Sequence, residues 1–70
     1  MKIIKIKTEY IKLDQLLKFA SIVQTGGEAK ELIKDEQVYF NGEICTQRGK
    51  KIRKGDEVKV FDQTYKIEEQ

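Results

Sequence analysis

The chain has 70 residues, of which 14 are basic and 12 acidic, and it contains no histidine, no proline and one cysteine, Cys45. This length predicts one domain over residues 1–70 with a small core, and it leaves no space for a separate catalytic domain or a deep cofactor cleft. A lone cysteine without any histidine excludes an internal disulfide and a zinc site, so we expect no cofactor, no bound metal and no enzymatic activity.

The N-terminal segment predicts a half-buried strand. From Lys2 to Thr8, Ile4 and Ile6 alternate with lysines, which is the two-residue period of a strand with one face on the core. These lysines are too frequent for a signal peptide, and no apolar run approaches the ~20 residues that cross a bilayer. We therefore expect a cytoplasmic protein without a membrane partner. Lysines along this strand also oppose edge-to-edge pairing, which favours a monomer.

Two helices are predicted after this strand. The first has an apolar face with the spacing i, i+3, i+4 and i+7, at Leu13, Leu16, Leu17 and Ala20. The second begins at Thr25, which has the spacing of a capping box with Glu28, and it is predicted to end between Asp35 and Gln37. Its buried face comprises Ala29, Leu32 and Ile33. Its exposed side carries a row of two lysines, Lys30 and Lys34.

The rest of the sequence predicts strands and turns. Asn41-Gly42 separates Val38–Phe40 from Glu43–Cys45, and Asn-Gly between such residues is the strongest short hairpin signal. After a turn around Gly55, strands are predicted at Glu57–Phe61 and Thr64–Glu68. The expected order is thus strand, helix, helix and three or four strands.

Positive charge is concentrated in one segment, Arg48–Lys54, which holds five basic residues and no acidic one. Without this basic run, the remainder has 9 basic and 12 acidic residues. A focused basic patch on a slightly acidic body attracts polyanions. The alternative is a solvated loop whose lysines only increase solubility.

The start of the second helix is another candidate for binding an anion. The first amides of a helix have no partner within it, and Gly26 and Gly27 carry no side chain that would keep a phosphate away from them. Lys30 follows one turn later. The glycines are equally consistent with a tight turn between the helices. If the strands pack beside the helices, this site and the basic run are expected to flank one groove.

Four fragments resemble a known family over residues 11–60. They are Leu13-Asp14-Gln15-Leu16-Leu17, Ala29-x-x-Leu32-Ile33, Val38-x-x-Asn41-Gly42 and Gly55-Asp56-x-Val58. In this order they resemble the RNA-binding domain named after ribosomal small-subunit protein S4, also called the alpha-L RNA-binding motif. The elements Thr-Gly-Gly-x-Ala-Lys and Arg-Gly-x-Lys are most similar to small stand-alone bacterial proteins of the YaaA or YbcJ type.

The resemblance implies an α+β fold in which two short helices pack on a small, mostly antiparallel sheet of four to five strands. It also implies an RNA-binding face formed by the helices and the adjoining hairpin. The family usually has arginine at the place of Lys12 and Ser-Arg where this chain has Gly26-Gly27, which favours backbone amides over a side-chain clamp. The RNA-binding residues that it implies are Lys12, Thr25, Gly26, Gly27, Lys30, Asn41, Arg48, Lys50 and Lys51.

The expected partner is structured RNA, such as ribosomal or transfer RNA. Duplex RNA is recognised through its shape and phosphates, which lysine patches suit. Tyr10 is expected to pack rather than to stack on a base, and Arg53 is expected to point away from Lys50. The leading interpretation is a non-catalytic, ribosome-associated RNA-binding module. The alternative is an adaptor that docks an acidic protein through the same face, and phosphate contacts alone do not exclude DNA.

Overall fold

Two short helices pack against one face of a five-stranded sheet, beside a separate two-stranded ribbon. The computed structural model describes all residues, 1–70. The elements are β1 (Lys2–Ile6), β2 (Tyr10–Lys12), α1 (Leu13–Phe19), α2 (Gly26–Lys34), β3 (Val38–Phe40), β4 (Glu43–Ile44), β5 (Lys51–Arg53), β6 (Glu57–Val60) and β7 (Gln63–Glu69). Neither helix has the length or the apolar character to cross a membrane.

The main sheet has the strand order β1-β7-β6-β3-β4, and the ribbon consists of β2 and β5. The β1–β7 pair is parallel, and the other four pairs are antiparallel. The predicted α+β fold, with two short helices on a mostly antiparallel sheet, is therefore confirmed.

One core of eleven buried residues joins the helices, the ribbon and the sheet. Its members are Ile6, Leu13, Leu16, Leu17, Ala29, Ile33, Val38, Ile52, Val58, Val60 and Ile67. The apolar faces predicted for the two helices supply five of them, while Leu32 is only partly buried at the margin. In the sheet, Val58 and Val60 are buried, so the residues that alternate with them, Glu57 and Lys59, lie on the face turned away from the helices.

The ribbon is the part of the fold that the sequence analysis missed. No strand is predicted between β1 and the first helix, but Tyr10–Lys12 pairs with Lys51–Arg53. Ile52 is completely buried and Ile11 packs against the core. Since paired residues of an antiparallel ribbon share a side, the opposite, outer side of the ribbon carries Tyr10, Lys12, Lys51 and Arg53.

The predicted caps and turns are present. The observed ends of the strands differ from the predicted ends by one or two residues. Asn41 and Gly42 have φ angles of 49° and 91°, as the hairpin turn requires. Strand β6 ends at Val60 because the next residue, Phe61, has φ of 56°, which is incompatible with an extended strand. Strand β1 ends at Ile6, two residues before the predicted end at Thr8.

We predict that Ile52→Ala lowers the free energy of unfolding by about 2–5 kcal/mol, because it removes a buried side chain that attaches the ribbon to the core. Ile44→Ala is the matched control, since Ile44 is also a strand isoleucine but is 49% exposed. Its expected loss is less than about 1 kcal/mol. Urea unfolding measures both values, and equal losses would contradict the assignment of Ile52 to the core.

Candidate nucleic-acid interface

The N-terminus of α1 binds the backbone of the basic run. Lys12, at the N-cap, makes no side-chain capping bond. Instead, the amide of Leu13 donates to the carbonyl of Lys50 at 2.9 Å, and the amide of Asp14 donates to the carbonyl of Arg48 at 3.0 Å. These two bonds satisfy amides that would otherwise have no partner. The backbone of the basic run is therefore fixed against the helix in this region and is not a free loop.

Arg48 lies in a groove beside α2. Its Nε donates to Asp14 Oδ2 at 3.4 Å, and its side chain remains 53% exposed. The groove has a volume of about 270 Å³ and is lined by Lys30, Ile33, Lys34, Thr46 and Arg48. The structure thus brings Lys30 and Arg48 into one groove. Gly27 lines a different groove that contains no residue of the basic run, so the expectation that the glycine site and the basic run flank one groove is met only for Lys30. Lys34 is an additional cation in the groove of Arg48, and its spacing of four residues from Lys30 was the available signal.

A second cationic group occupies the outer side of the ribbon. Lys12 and Lys51 are directly paired across the two strands. The Nζ of Lys51 lies 4.8 Å from the ring centroid of Tyr10, and the Cζ of Arg53 lies 5.6 Å from it. Arg53, which is not among the RNA-binding residues expected from the sequence, therefore lies on the same side as Lys51. Tyr10 is only partly buried and is on the outer side, where it contacts these two cations, so the expectation that it packs rather than stacks on a base stays a prediction.

Lys50 points in a different direction from Lys51. It is half-buried, and its Nζ lies 4.9 Å from the ring centroid of Phe40. It lines a groove with residues 43–47. The alternation of side chains in an extended segment explains why neighbouring lysines separate in this way.

The groove at the start of α2 is lined by acidic residues. Thr25 Oγ1 accepts from the amide of Glu28 at 3.1 Å, while Glu28 Oε1 accepts from the amides of Gln24 and Thr25 at 2.9 and 3.1 Å. The capping box predicted from the sequence is therefore confirmed. Gly27 lines a groove that also contains three carboxylates, those of Glu28, Glu31 and Asp35.

This negative charge opposes binding of an anion at the start of α2. A Cβ on Gly26 would meet no atom within 4 Å, and one on Gly27 would meet only Thr25 Oγ1, at 3.8 Å. Neither glycine is thus required by packing in the folded chain. Phosphate binding by Thr25, Gly26 and Gly27 stays a prediction that the local charge does not favour.

Asn41 has a structural role in the hairpin turn. Its Oδ1 accepts from the amide of Glu57 at 2.8 Å, and its Nδ2 donates to Asp56 Oδ1 at 3.2 Å. These bonds join the β3–β4 turn to the loop before β6. Its amide group is already engaged within the protein, so its proposed RNA contact stays a prediction.

We predict that Asn41→Ala lowers the free energy of unfolding by about 1–3 kcal/mol, because both side-chain hydrogen bonds are lost at a position with positive φ. Asn41→Gly keeps the backbone conformation accessible and removes only the hydrogen bonds. We expect its stability to lie between those of the wild type and the alanine variant in urea unfolding. If both variants match the wild type, the hydrogen bonds do not stabilise the turn.

Comparison with known proteins agrees with this geometry. A family model described as S4 domain matches residues 4–68. A protein of Bacillus subtilis (strain 168) named "Probable ribosome maturation protein RlbA" is 42% identical over 57 residues, which cover 81% of this chain and 80% of that protein. The family match includes the ribbon, both helices and every strand of the sheet at least in part. This chain therefore belongs to the S4 domain family.

Proposed function

We propose that this protein is a non-catalytic RNA-binding module that recognises structured RNA, ribosomal or transfer RNA, through phosphate contacts, and that it acts on the ribosome. Membership of the S4 domain family and the name of the Bacillus subtilis relative, a probable ribosome maturation protein, support this function. The observation that carries it is the set of cations on the ribbon and in the adjacent groove, of which only Arg48 has an acidic partner within the chain.

The lysine pair of the ribbon is the clearest of these sites. Like charges directly opposite each other destabilise an antiparallel pair. The two ion pairs of the chain involve Arg48 and Lys54, so neither Lys12 nor Lys51 is neutralised by a carboxylate. A phosphate between the two ammonium groups relieves this repulsion. The cost of the arrangement is thus explained by a polyanionic ligand.

The groove beside α2 is a second cationic site. Lys30 and Lys34 provide point charges, and Arg48 provides a planar guanidinium whose terminal nitrogens make no hydrogen bond within the chain. Such a group binds phosphate in a bidentate manner. The backbone bonds from α1 to residues 48 and 50 hold the groove next to the ribbon. Two cationic groups fixed on one segment suit a ligand with several phosphates, as in duplex RNA.

We predict a strong dependence of RNA affinity on salt. Contacts of about five cations with phosphates should give a slope of roughly −4 when log K is plotted against log salt concentration for a hairpin RNA. Fluorescence anisotropy with a labelled hairpin measures this slope. An affinity that does not change with salt would contradict binding through phosphates.

We further predict that the double variant Lys12→Gln, Lys51→Gln makes this slope less steep by about 2, because two phosphate contacts are lost. Its thermal unfolding temperature should stay unchanged or rise slightly, since the substitution removes a like-charge pair. We thus expect the variant to bind RNA more weakly without a loss of stability.

The matched control is Lys5→Gln, Lys59→Gln, which removes the same number of charges from the face of the sheet turned away from the helices. It should leave the slope close to that of the wild type. Equal effects of both double variants would show that only net charge matters. Tighter binding of the wild type to an acidic protein than to the hairpin would favour the adaptor function instead.

A further inference from the structure

We propose that Tyr10 and the open cavity beside it bind one unpaired base of the RNA, at the edge of the cationic surface. This inference rests on the proposed function and specifies its substrate as structured RNA with an unpaired nucleotide next to a helical stem. It assigns a base-binding role to a residue that the sequence pattern treats as packing.

The position of Tyr10 is the first argument. It lies on the outer side of the ribbon, opposite Ile11 and Ile52, which face the core, and it is only partly buried. Packing of the core is therefore not the reason for an aromatic side chain here. Lys51 and Arg53 contact the ring as cations, which fixes its orientation and places positive charge beside it.

The cavity beside Tyr10 is the second argument. It has a volume of about 540 Å³ and is lined by Thr8, Glu9, Tyr10, Ile11, Lys12 and Gln15. This volume is within the range of sites that hold a small molecule. Lys51 and Arg53 are not among the residues that line it. A base can thus approach the tyrosine without displacing them.

The chemistry of this lining fits a base better than a phosphate. The carboxylate of Glu9 repels an anion, but it accepts hydrogen bonds from an exocyclic amino group of a base. The amide of Gln15 can both donate and accept. Tyr10 supplies apolar contact. A stacked base requires an apolar surface against its face and polar partners at its edge.

The phosphate site is close enough for one nucleotide to reach both. Lys12 also lines the cavity, and it is two residues from Tyr10, a separation of about 7 Å along a strand. A nucleotide whose phosphate lies at the Lys12–Lys51 pair can therefore place its base in the cavity. The base must be unpaired, because a base within a duplex has no exposed face for stacking.

The test compares two hairpin RNAs that differ only in a single unpaired adenosine in the stem. We expect the wild type to bind the bulged hairpin on the order of tenfold more tightly, the size of one base–aromatic stack. Tyr10→Leu should lose this preference and keep its affinity for the fully paired hairpin. Tyr10→Phe should retain the preference, because it keeps the ring. Tyr39→Leu, the same change on the face of the main sheet turned away from the helices, is the matched control and should behave as the wild type.

A second readout does not depend on any variant. With 2-aminopurine as the unpaired base, binding of the wild type should quench its fluorescence, because the base stacks on the ring. The inference is overturned if the wild type binds both hairpins equally, if Tyr10→Leu weakens both equally, or if 2-aminopurine becomes brighter on binding. Failure of the wild type to bind either hairpin overturns the proposed function itself. Binding without preference overturns only the role of Tyr10.

Discussion

The arrangement of the cationic surface depends on the two backbone hydrogen bonds at the start of α1. This helix has no side-chain cap, and its first two amides donate to the carbonyls of Arg48 and Lys50. These bonds give the first amides of the helix their hydrogen-bond partners, and they also fix the backbone of the basic run. Strand β5 begins immediately afterwards at Lys51 and pairs with β2, which brings Lys51 opposite Lys12. Arg48 is held beside α2 by the same bonds. The basic run carries like charges that repel one another. It keeps one conformation because its backbone carbonyls accept hydrogen bonds from the first amides of α1.

The charges of α2 are separated by side. Lys30 and Lys34 line the groove that contains Arg48, whereas Glu28, Glu31 and Asp35 line the groove at Gly27. A helix separates residues in this way because positions three or four apart share a face. The net charge of +2 conceals this asymmetry. A polyanion is attracted to the lysine side of the helix and repelled from the acidic side. This orients the protein during an encounter, so that productive contacts form on the lysine side.

Residues that define the family resemblance include some that serve mainly the fold. Asn41 joins two turns through its side chain, and Leu13 is completely buried at the start of α1. Thr25 and Glu28 cap α2. A small domain has few buried side chains, so such turns and caps contribute a large share of its stability. The residues that present charge lie between these structural positions, on the exposed sides of the ribbon and of α2.

The helices, the hairpin, the capping box and the concentration of positive charge could be predicted from the amino-acid sequence, because each depends on residues within a few positions of one another. The sequence also indicated that Lys30 and Arg48 could share a groove. The ribbon formed by Tyr10–Lys12 and Lys51–Arg53 is evident only in the folded chain, because a three-residue strand has no periodicity of its own and its partner is about 40 residues away. The placement of Tyr10 and Arg53 on the outer side follows from that pairing. The carboxylates around Gly27 likewise come from a helix face and a cap, and only their positions in space show that they oppose an anion there.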